Sequence, residues 1–160
     1  MNPSRPAVEL VPIDASNWRE ALEVRIADHH LRFVAAYQPV VLLILAKSHV
    51  AEGGRGWRPF AIVAEERVVG VFAVATSERS CELLHLAIDH SRQREGLGRA
   101  ALVAVIELLA DEREVDELEL TVHPENAGAH RLYRSTGFAP TGESRHGEPV
   151  WSRVVVPPAP

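Results

Sequence analysis

Residues 82–110 constrain the fold more than any other part of the chain. They begin with an apolar run of strand length, residues 83–88, pass through a polar turn, and continue as an Ala- and Leu-rich segment of helical length. Gly96 and Gly98 stand at the entrance to this segment, where glycine lets the backbone approach a ligand closely. The first N–H groups of a helix lack intrahelical partners and lie at the positive end of its dipole. The pattern therefore predicts a strand, a loop and a helix whose first turn binds an anion.

Arginines surround the predicted anion site, at Arg92, Arg94 and Arg99. Guanidinium groups in this position suit a pyrophosphate better than a carboxylate. One alternative is a helix start softened by glycine, with solvated arginines. Another is a dinucleotide-binding turn, because residues 96–101 also match G-x-G-x-x-A. A dinucleotide fold places that turn after its first strand, whereas here it lies past the middle of the chain, so this interpretation ranks low.

A second informative stretch covers residues 123–138, HPENAGAHRLYRSTGF. Asn126 suits the N-cap of a short helix, and Gly137 can end the helix in the left-handed conformation. Asn126 and Tyr133 are seven residues apart, which is two helical turns. We therefore expect both side chains to lie on the same side of the helix, toward the end of the preceding strand.

Together the two stretches resemble the signatures of the GNAT superfamily of acetyl-CoA-dependent N-acyltransferases. Gln93-x-x-Gly96-x-Gly98 is similar to the Q/R-x-x-G-x-G/A loop of that family. The second signature, N-x-x-A-x-x-L-Y-x-x-x-G-F, is matched by Asn126, Ala129, Leu132, Tyr133, Gly137 and Phe138. Two signatures in the right order and with the right separation are far more specific than either alone. The resemblance covers residues 59–156 well and the first third of the chain only in pattern.

The resemblance implies an α/β (α+β) fold. A mixed, mostly antiparallel central sheet of about seven strands would splay in its middle and be flanked by about four helices. We expect a single domain over residues 1–160, because this length suits one domain, with a disordered proline tail at residues 157–160.

Acetyl-CoA is the co-substrate that the resemblance implies, held between two splayed strands. Its pantetheine would bind the backbone at the end of the strand, its pyrophosphate would bind the glycine loop, and Asn126 would contact it nearby. The implied cofactor-binding residues are Leu86, Ala87, Ile88, Gln93, Arg94, Glu95, Gly96, Leu97, Gly98, Arg99 and Asn126. No metal site is expected.

Acetyl transfer to an amine needs two proton movements, since the ammonium must lose a proton and the departing thiolate gains one. The resemblance implies Tyr133 as the acid; the alternative is an aromatic residue that only packs on the sheet. Thr121 stands where some relatives carry a glutamate base, and a threonine cannot serve. The candidate bases are therefore Glu82 and His85, although His85 can equally be a core histidine with its hydrogen bonds satisfied.

The acceptor implied by the resemblance is the primary amine of a small molecule. Softer cues at residues 33–34, 59–62, 141–143 and 147–150 resemble bacterial diamine and polyamine (spermine/spermidine) N-acetyltransferases, although Leu84 stands where those enzymes commonly carry an acidic residue. Candidate substrate contacts are Phe33, Tyr37 and the loop at residues 52–57. Alternatives are acetylation of a protein N-terminus or an antibiotic amine, and a non-catalytic acetyl-CoA-binding module.

Composition bounds the setting of this activity. The net charge of −5 argues against a nucleic-acid partner, and the single cysteine, Cys81, fits a reducing compartment. The first residues contain no apolar signal segment, and the most apolar run, residues 40–46, is too short to span a bilayer. We therefore expect a cytoplasmic protein without a membrane partner, and the resemblance leaves a homodimer open.

Periodicity and turn residues predict the remaining elements. We expect an edge strand at residues 7–13, then a helix capped by Asp14 or Ser16 that runs to about Ile26 and is closed by His29 and His30. A second helix is expected at residues 39–49, and the long helix should end at residues 111–114. Strands are expected at residues 60–65, 68–76, 117–122, 138–143 and 150–156, with hairpin turns at residues 66–67 and 145–148. The strands at residues 83–88 and 117–122 should be parallel.

Overall fold

The computed structural model describes residues 4–35, 37–157 and 159–160. Within these residues the chain forms seven strands: β1 (Glu9–Pro12), β2 (Gly56–Ala64), β3 (Arg67–Ser77), β4 (Ser80–Ile88), β5 (Glu117–Thr121), β6 (Ala139–Arg145) and β7 (Glu148–Val154). The α-helices of the same residues are α1 (Trp18–Ala21), α2 (Leu31–Val34), α3 (Val40–His49), α4 (Leu97–Glu112) and α5 (Ala127–Ser135). The expected tail at residues 157–160 includes Pro158, which lies outside the described residues.

The sheet has the strand order β1-β2-β3-β4-β5-β7-β6, with β1 at one edge as predicted. Every neighbouring pair is antiparallel except β4 and β5, whose predicted parallel pairing is confirmed. This parallel pairing extends only from Ser80 to Glu82 on β4 and from Glu117 to Glu119 on β5. Beyond these residues the two strands diverge, so within the described part of the chain no strand lies beside residues 83–88 on that side. The expected splayed, mixed sheet is confirmed.

The antiparallel neighbours of β4 also decide between two interpretations of the glycine loop. A dinucleotide-binding turn follows the first strand of a parallel sheet. Here the loop follows β4, and β1 to β4 form an antiparallel series. The dinucleotide interpretation is therefore wrong.

A β-bulge interrupts β4 near its centre. The register with β3 shifts between the pairs Val71–Ala87 and Ala73–Leu84, so His85 and Leu86 together face Phe72. His85 has the left-handed backbone conformation, with φ of 56°. The bulge re-aims the His85 side chain toward α2 and α3, where its ring contacts both helices.

Apolar cores cover both faces of the sheet. On one face, Leu102 and Val105 of α4 belong to a buried cluster with Phe72 and Leu118. On the other face, a smaller cluster joins Val40, Val41 and Ile44 of α3 to Val71, Ala73 and Ala87 of the sheet. Each fully buried aliphatic side chain contributes about 1.5–3 kcal/mol relative to exposure, so these clusters hold the splayed strands in place from both sides. Every helix of the described residues is too short or too polar to cross a lipid bilayer.

The first predicted helix is wrong in length. Instead of continuing to Ile26, α1 forms a single turn that ends at Ala21, and Asp14 does not cap it through its side chain. The Asp14 carboxylate instead accepts the backbone N–H of Ser16 at 2.7 Å, a local turn that competes with helix formation.

Distant acceptors explain why the chain leaves the helix so early. The backbone N–H of Arg25 donates to the Asp89 carboxylate at 2.8 Å, and that of Ile26 donates to Gln38 Oε1 at 2.8 Å. These donors are therefore used by other segments and not by a helix. Residues Asp28–His30 form a separate 3₁₀ turn, so His29 and His30 do not close the first helix. The short helix α2 follows directly at Leu31–Val34, so the described residues contain five α-helices where about four were expected.

The remaining elements differ from the predictions mainly at their ends. The β2–β3 turn consists of Glu65 and Glu66, both with positive φ, one residue before the predicted position. β2 begins at Gly56 and not at residue 60, because residues 56–59 pair with β3. The predicted hairpin between β6 and β7 and the left-handed stop at Gly137 (φ 92°) are confirmed.

Candidate active site

A cavity of about 880 Å³ opens where β4 and β5 diverge. This volume lies in the range that small-molecule sites use. At one end the cavity meets the start of α4 and the inner face of α5; at the other it meets α2, α3 and the β6–β7 turn. The first end, where the resemblance places the cofactor, is called the cofactor end and is lined by Leu84, Leu86, Ala87, Ile88, Gln93, Gly98, Asn126, Gly128, Ala129, Leu132 and Tyr133. The second, where the resemblance places the acceptor, is called the acceptor end and is lined by Ile26, His30, Arg32, Phe33, Val34, Ala35, Tyr37, Leu43, Lys47, Glu82, His85, Arg145, His146 and Glu148.

The loop at the cofactor end is held against the end of β4. Gln93 Nε2 donates to the carbonyl oxygen of Ile88 at 2.8 Å. Gly96 is the N-cap of α4 and has a φ of 78°, a conformation that favours glycine. The carbonyl of Gly96 already accepts from Ala100, so the helix begins at once. The first-turn N–H groups of residues 97–99 are those that a helix cannot pair internally, and unpaired donors at the positive end of a helix are suited to binding an anion.

Gly98 leaves room that the protein itself does not fill. A Cβ atom built at Gly98 would meet only Ile88 Cγ1, at 3.8 Å, which is an ordinary van der Waals contact. The packing of the protein therefore does not require glycine at this position. Because Gly98 lines the cavity, the open space beside its backbone suits a ligand that comes close to the helix N-terminus.

The arginines near the loop are largely engaged by the protein. Arg92 donates to Glu95 at 2.7 Å and contacts Glu65 at 3.3 Å. Arg99 donates to the hydroxyl of Ser135, which ties the start of α4 to the end of α5. The backbone N–H groups at the start of α4 are therefore freer to meet a ligand than the guanidinium groups of Arg92 and Arg99 are.

Asn126 and Tyr133 both line the cavity from α5. Asn126 caps the helix, since its Oδ1 accepts the backbone N–H of Ala129 at 3.3 Å, and this leaves its amide N–H groups for a ligand. The Tyr133 ring packs at 5.8 Å from the ring of Phe138, and its hydroxyl forms no hydrogen bond with the described residues. Burial raises the pKa of Tyr133 to about 12, so its hydroxyl keeps a proton at neutral pH.

Glu82 lies at the foot of the cavity, where β4 and β5 separate, and only 7% of it is exposed. Its carboxylate pairs with the guanidinium of Arg55 and lies 3.3 Å from that of Arg145. Arg145 also donates to Glu119 at 2.9 Å. Buried charges are tolerated when they are paired in this way. Glu82 is thus part of an ion-pair network that joins β4, β5 and β6.

His85 contacts two groups through its two ring nitrogens. Nδ1 lies 2.8 Å from the carbonyl oxygen of Val34, and Nε2 lies 3.2 Å from Nζ of Lys47. Because a carbonyl can only accept, Nδ1 donates and Nε2 carries the lone pair that faces Lys47. Burial, with a smaller effect of the Lys47 charge, lowers the pKa of His85 below its ordinary value. His85 is therefore a neutral imidazole at neutral pH.

The acceptor end contains residues that sequence reasoning had not selected. These are Lys47 and Arg145, which line the cavity. Arg55, from the predicted loop at residues 52–57, contacts Glu82 from outside the lining. Of the predicted substrate contacts, Phe33 and Tyr37 line the cavity, whereas residues 52–57 do not. The only sequence signal for Lys47 was that it is the single lysine of the chain.

Potential metal ligands are not grouped together in the described part of the protein. Over the ranges that the structure describes, no group of three or more His, Cys, Asp or Glu side chains is arranged to hold a metal ion. The cavity contributes backbone donors, two phenols (Tyr37 and Tyr133), four imidazoles (His30, His85, His123 and His146) and several charged side chains, which are groups suited to binding an anion and to moving protons.

Comparison with known proteins finds similarity to N-acetyltransferases. Human N-acetyltransferase 8 is 29% identical over 117 residues, which are 69% of this chain and 49% of that protein. The [ribosomal protein bS18]-alanine N-acetyltransferase of Escherichia coli K12 is 46% identical over 56 residues, 35% of this chain and 37% of that protein. The chain spans about half the length of the first of these relatives.

Solved structures share the fold. The spermidine N-acetyltransferase of Vibrio cholerae, in complex with CoA and spermine, aligns with a TM-score of 0.72 and 16% identity over 96% of this chain and 97% of that chain. The sequence model of the acetyltransferase (GNAT) family matches residues 18–138, from the start of α1 to the end of the second motif. The chain therefore belongs to the GNAT family of acetyltransferases, whose acetyl donor is acetyl-CoA.

Proposed function

We propose that this protein transfers the acetyl group of acetyl-CoA to the primary amine of a small molecule. The observation that carries the proposal is the single cavity in which the α4 N-terminus, the Tyr133 phenol and the His85 imidazole all take part. These are an anion site, a proton donor and a proton acceptor, and the reaction needs all three.

The cofactor end supports binding of acetyl-CoA, which supplies a reactive acetyl thioester when bound. The unpaired edge of β4, at residues Leu86, Ala87 and Ile88, offers backbone groups to an extended pantetheine chain. The pyrophosphate would be held by backbone N–H groups of the α4 entrance, and Asn126 has amide hydrogens left to donate. The residues assigned to the pyrophosphate are Gln93, Arg94, Glu95, Gly96, Leu97, Gly98 and Arg99.

Tyr133 is the proposed acid. Its hydroxyl makes no competing bond with the described residues and lies on a cavity wall beside the cofactor-binding groups. With a pKa raised to about 12 by burial, it stays protonated and can donate to a thiolate as that charge develops. The phenol thereby stabilises the leaving group.

His85 is the proposed base, with Glu82 as the second candidate. A primary ammonium has a reference pKa of about 10.4, as in lysine, so it must lose a proton before it can attack. The neutral His85 carries a lone pair on Nε2, which accepts a hydrogen bond from the Lys47 ammonium, so His85 takes up the amine proton once Lys47 turns to another acceptor. Glu82 has a carboxylate on the same strand, but two guanidinium groups engage it. His85 has the weaker competing contact, a single hydrogen bond of 3.2 Å, and is therefore the better candidate.

The names of the relatives indicate more than one class of acceptor. The relatives named above act on different amines according to their names, and one aligned structure contains spermine. Polyamines are therefore one acceptor class to test, and the N-terminal amine of a protein is another, favoured by the 46% identity to the bS18-alanine enzyme. A third acceptor class is the amine of an antibiotic. The alternative to any acetyl transfer is a module that binds acetyl-CoA without catalysis.

A thiol-release assay tests the proposal. The protein is incubated with acetyl-CoA and, separately, with polyamines, amino acids, aminoglycosides and an N-terminal peptide, and the acetylated product is identified by mass spectrometry. We expect at least one small amine to be acetylated in preference to the peptide. Binding of coenzyme A without transfer to any of these amines would contradict the proposal and support the non-catalytic alternative.

A further inference from the structure

We infer that the acceptor is an amine that also carries a carboxylate, such as an α-amino acid, and that Lys47 binds this carboxylate. The inference rests on the proposed function and names its substrate class. It follows from the charged side chains that line the acceptor end of the cavity. All but two of them form an ion pair with another described residue of the protein.

The first unmatched charge is the ammonium of Lys47. The Lys and Arg side chains that line the cavity are Arg32, Lys47 and Arg145. Arg32 donates to Glu125 at 2.6 Å, and Arg145 lies 3.3 Å from Glu82. Lys47, in contrast, forms no ion pair with any of the described residues. It is the lining cation whose counter-ion the described protein does not supply.

The surroundings of Lys47 leave it donors for a ligand. Its Nζ donates one hydrogen to His85 Nε2 at 3.2 Å and lies 5.7 Å from the ring centre of Trp57. An ammonium has three hydrogens and no acceptor. Two hydrogens therefore remain for a ligand in the cavity. A half-buried ammonium whose contacts are a neutral imidazole and an aromatic face gains most from an anionic partner.

The second unmatched charge is the carboxylate of Glu148. It lines the same cavity at the start of β7 and forms neither an ion pair nor a side-chain hydrogen bond with the described residues. Glu82, the other lining carboxylate, is already paired with two arginines. The acceptor end thus offers one cation and one anion to a ligand. A zwitterion can pair its carboxylate with Lys47 and its ammonium with Glu148. A polyamine instead brings further positive charge toward Lys47.

The rest of the acceptor end is apolar. Ile26, Phe33 and Leu43 line it between the charged groups. Such a surface suits an aliphatic or aromatic side chain beside the carboxylate and the amine. Phenylalanine and phenethylamine therefore form a matched probe pair, since the two differ only in the carboxylate.

The experiment measures kcat/KM for phenylalanine, phenethylamine, phenylalaninamide and spermidine, each expressed on the concentration of neutral amine. Phenylalaninamide keeps the α-amine but removes the charge, so it stands for a peptide N-terminus. We expect phenylalanine to be preferred over phenethylamine by at least about 10-fold, with phenylalaninamide and spermidine no better than phenethylamine. Lys47→Met should lower the phenylalanine-to-phenethylamine ratio by about 10- to 100-fold, and Lys47→Arg should restore part of it. Arg131→Met, which removes an exposed cation outside the cavity lining, is the matched control and should keep the wild-type ratio.

Two results would overturn the inference. One is equal or better use of phenethylamine, phenylalaninamide or spermidine by the wild type. The other is an unchanged ratio in Lys47→Met with an equal fall in kcat for both acceptors and a shifted pH profile, which would assign Lys47 to the positioning of His85 alone. Calorimetry of phenylalanine binding to the CoA-saturated protein separates this inference from the proposed function. Binding that Lys47→Met weakens at least 10-fold, without any transfer, would retain the carboxylate site and contradict the acetyltransferase proposal.

Discussion

The cofactor end and the acceptor end of the cavity present different groups to a ligand, mainly backbone at the first and side chains at the second. The cofactor end consists of main chain at β4 and α4, with Gly98 leaving space that the protein does not fill. The acceptor end is formed by side chains: apolar ones, and long charged ones such as Arg32, Lys47 and Arg145, which come from three separate elements. A backbone site recognises a part common to all donors, such as a pyrophosphate, and depends little on side-chain identity. A side-chain site can change its ligand through one or two substitutions, so one fold can retain its donor while the acceptor changes.

Tyr133→Phe tests the point where the two ends meet, and we expect the largest effect there. Phenylalanine keeps the ring and its packing against Phe138, so coenzyme A affinity should stay near the wild-type value. Loss of the proton donor should lower kcat by about 10²–10⁴-fold. Turnover is measured by single-turnover thiol release, where chemistry limits the rate, and affinity by calorimetry. Wild-type turnover would make Tyr133 a packing residue only.

Replacing the base candidates asks whether the acceptor end takes part in chemistry as well as in binding. His85→Asn is chosen because asparagine tolerates the left-handed backbone of the bulge. We expect a loss of about 10²-fold at neutral pH, since a base matters most when the amine is protonated, and convergence with the wild type near pH 10.

Glu82→Gln is the matched comparison on the same strand, because it removes the carboxylate charge and keeps the shape. If His85 is the base, Glu82→Gln should lower the rate by a factor that does not depend on pH. A pH-dependent loss in Glu82→Gln alone would assign the base to Glu82. If both His85→Asn and Glu82→Gln keep the pH–rate profile of the wild type, neither residue is the base, and another group deprotonates the amine.

Gly98→Val tests whether the cofactor end depends on backbone approach. The new side chain meets little of the protein, so folding should be retained, but it should separate the pyrophosphate from the first-turn N–H groups. Loss of one charge-assisted hydrogen bond, worth about 1.5–3 kcal/mol, corresponds to a Kd for coenzyme A that is about 10- to 150-fold higher. Ala104→Val, in the same helix but outside the cavity lining, is the control. Equal affinity in Gly98→Val and the wild type would contradict the loop assignment.

The pH dependence of stability should show the smallest effect. The pKa of His85 is lowered in the folded protein by burial, so the unfolded chain binds the proton more readily. Stability is therefore complete above the unfolded pKa of about 6.5 and declines as the pH falls below it. The decline due to His85 cannot exceed about 1.4 kcal/mol per pH unit. Urea unfolding at several pH values should give a flatter profile for His85→Asn, and an identical profile would contradict a neutral, buried His85.

Local backbone requirements made part of this molecule predictable. Motifs predict the helix entrance at Gly96, the cap at Asn126 and the stop at Gly137. Each of these residue types satisfies a backbone requirement, a positive φ or a cap hydrogen bond, that involves only the adjacent residues. The first helix was mispredicted for the opposite reason. The backbone N–H groups of Arg25 and Ile26 donate to side chains of other segments. The spacing of apolar residues in the sequence contains no information about such acceptors.

The sequence by itself determined the family, its acetyl donor and the local elements that contain the two motifs, since these short motifs carry that information in the backbone they require. Only the tertiary structure decided the surroundings of the base candidates. Lys47 reaches His85 across 38 residues and Arg55 reaches Glu82 across 27, through the bulge of β4 and the splay beside β5. Contacts between single side chains of distant segments depend on how the sheet is assembled, and no local pattern encodes them.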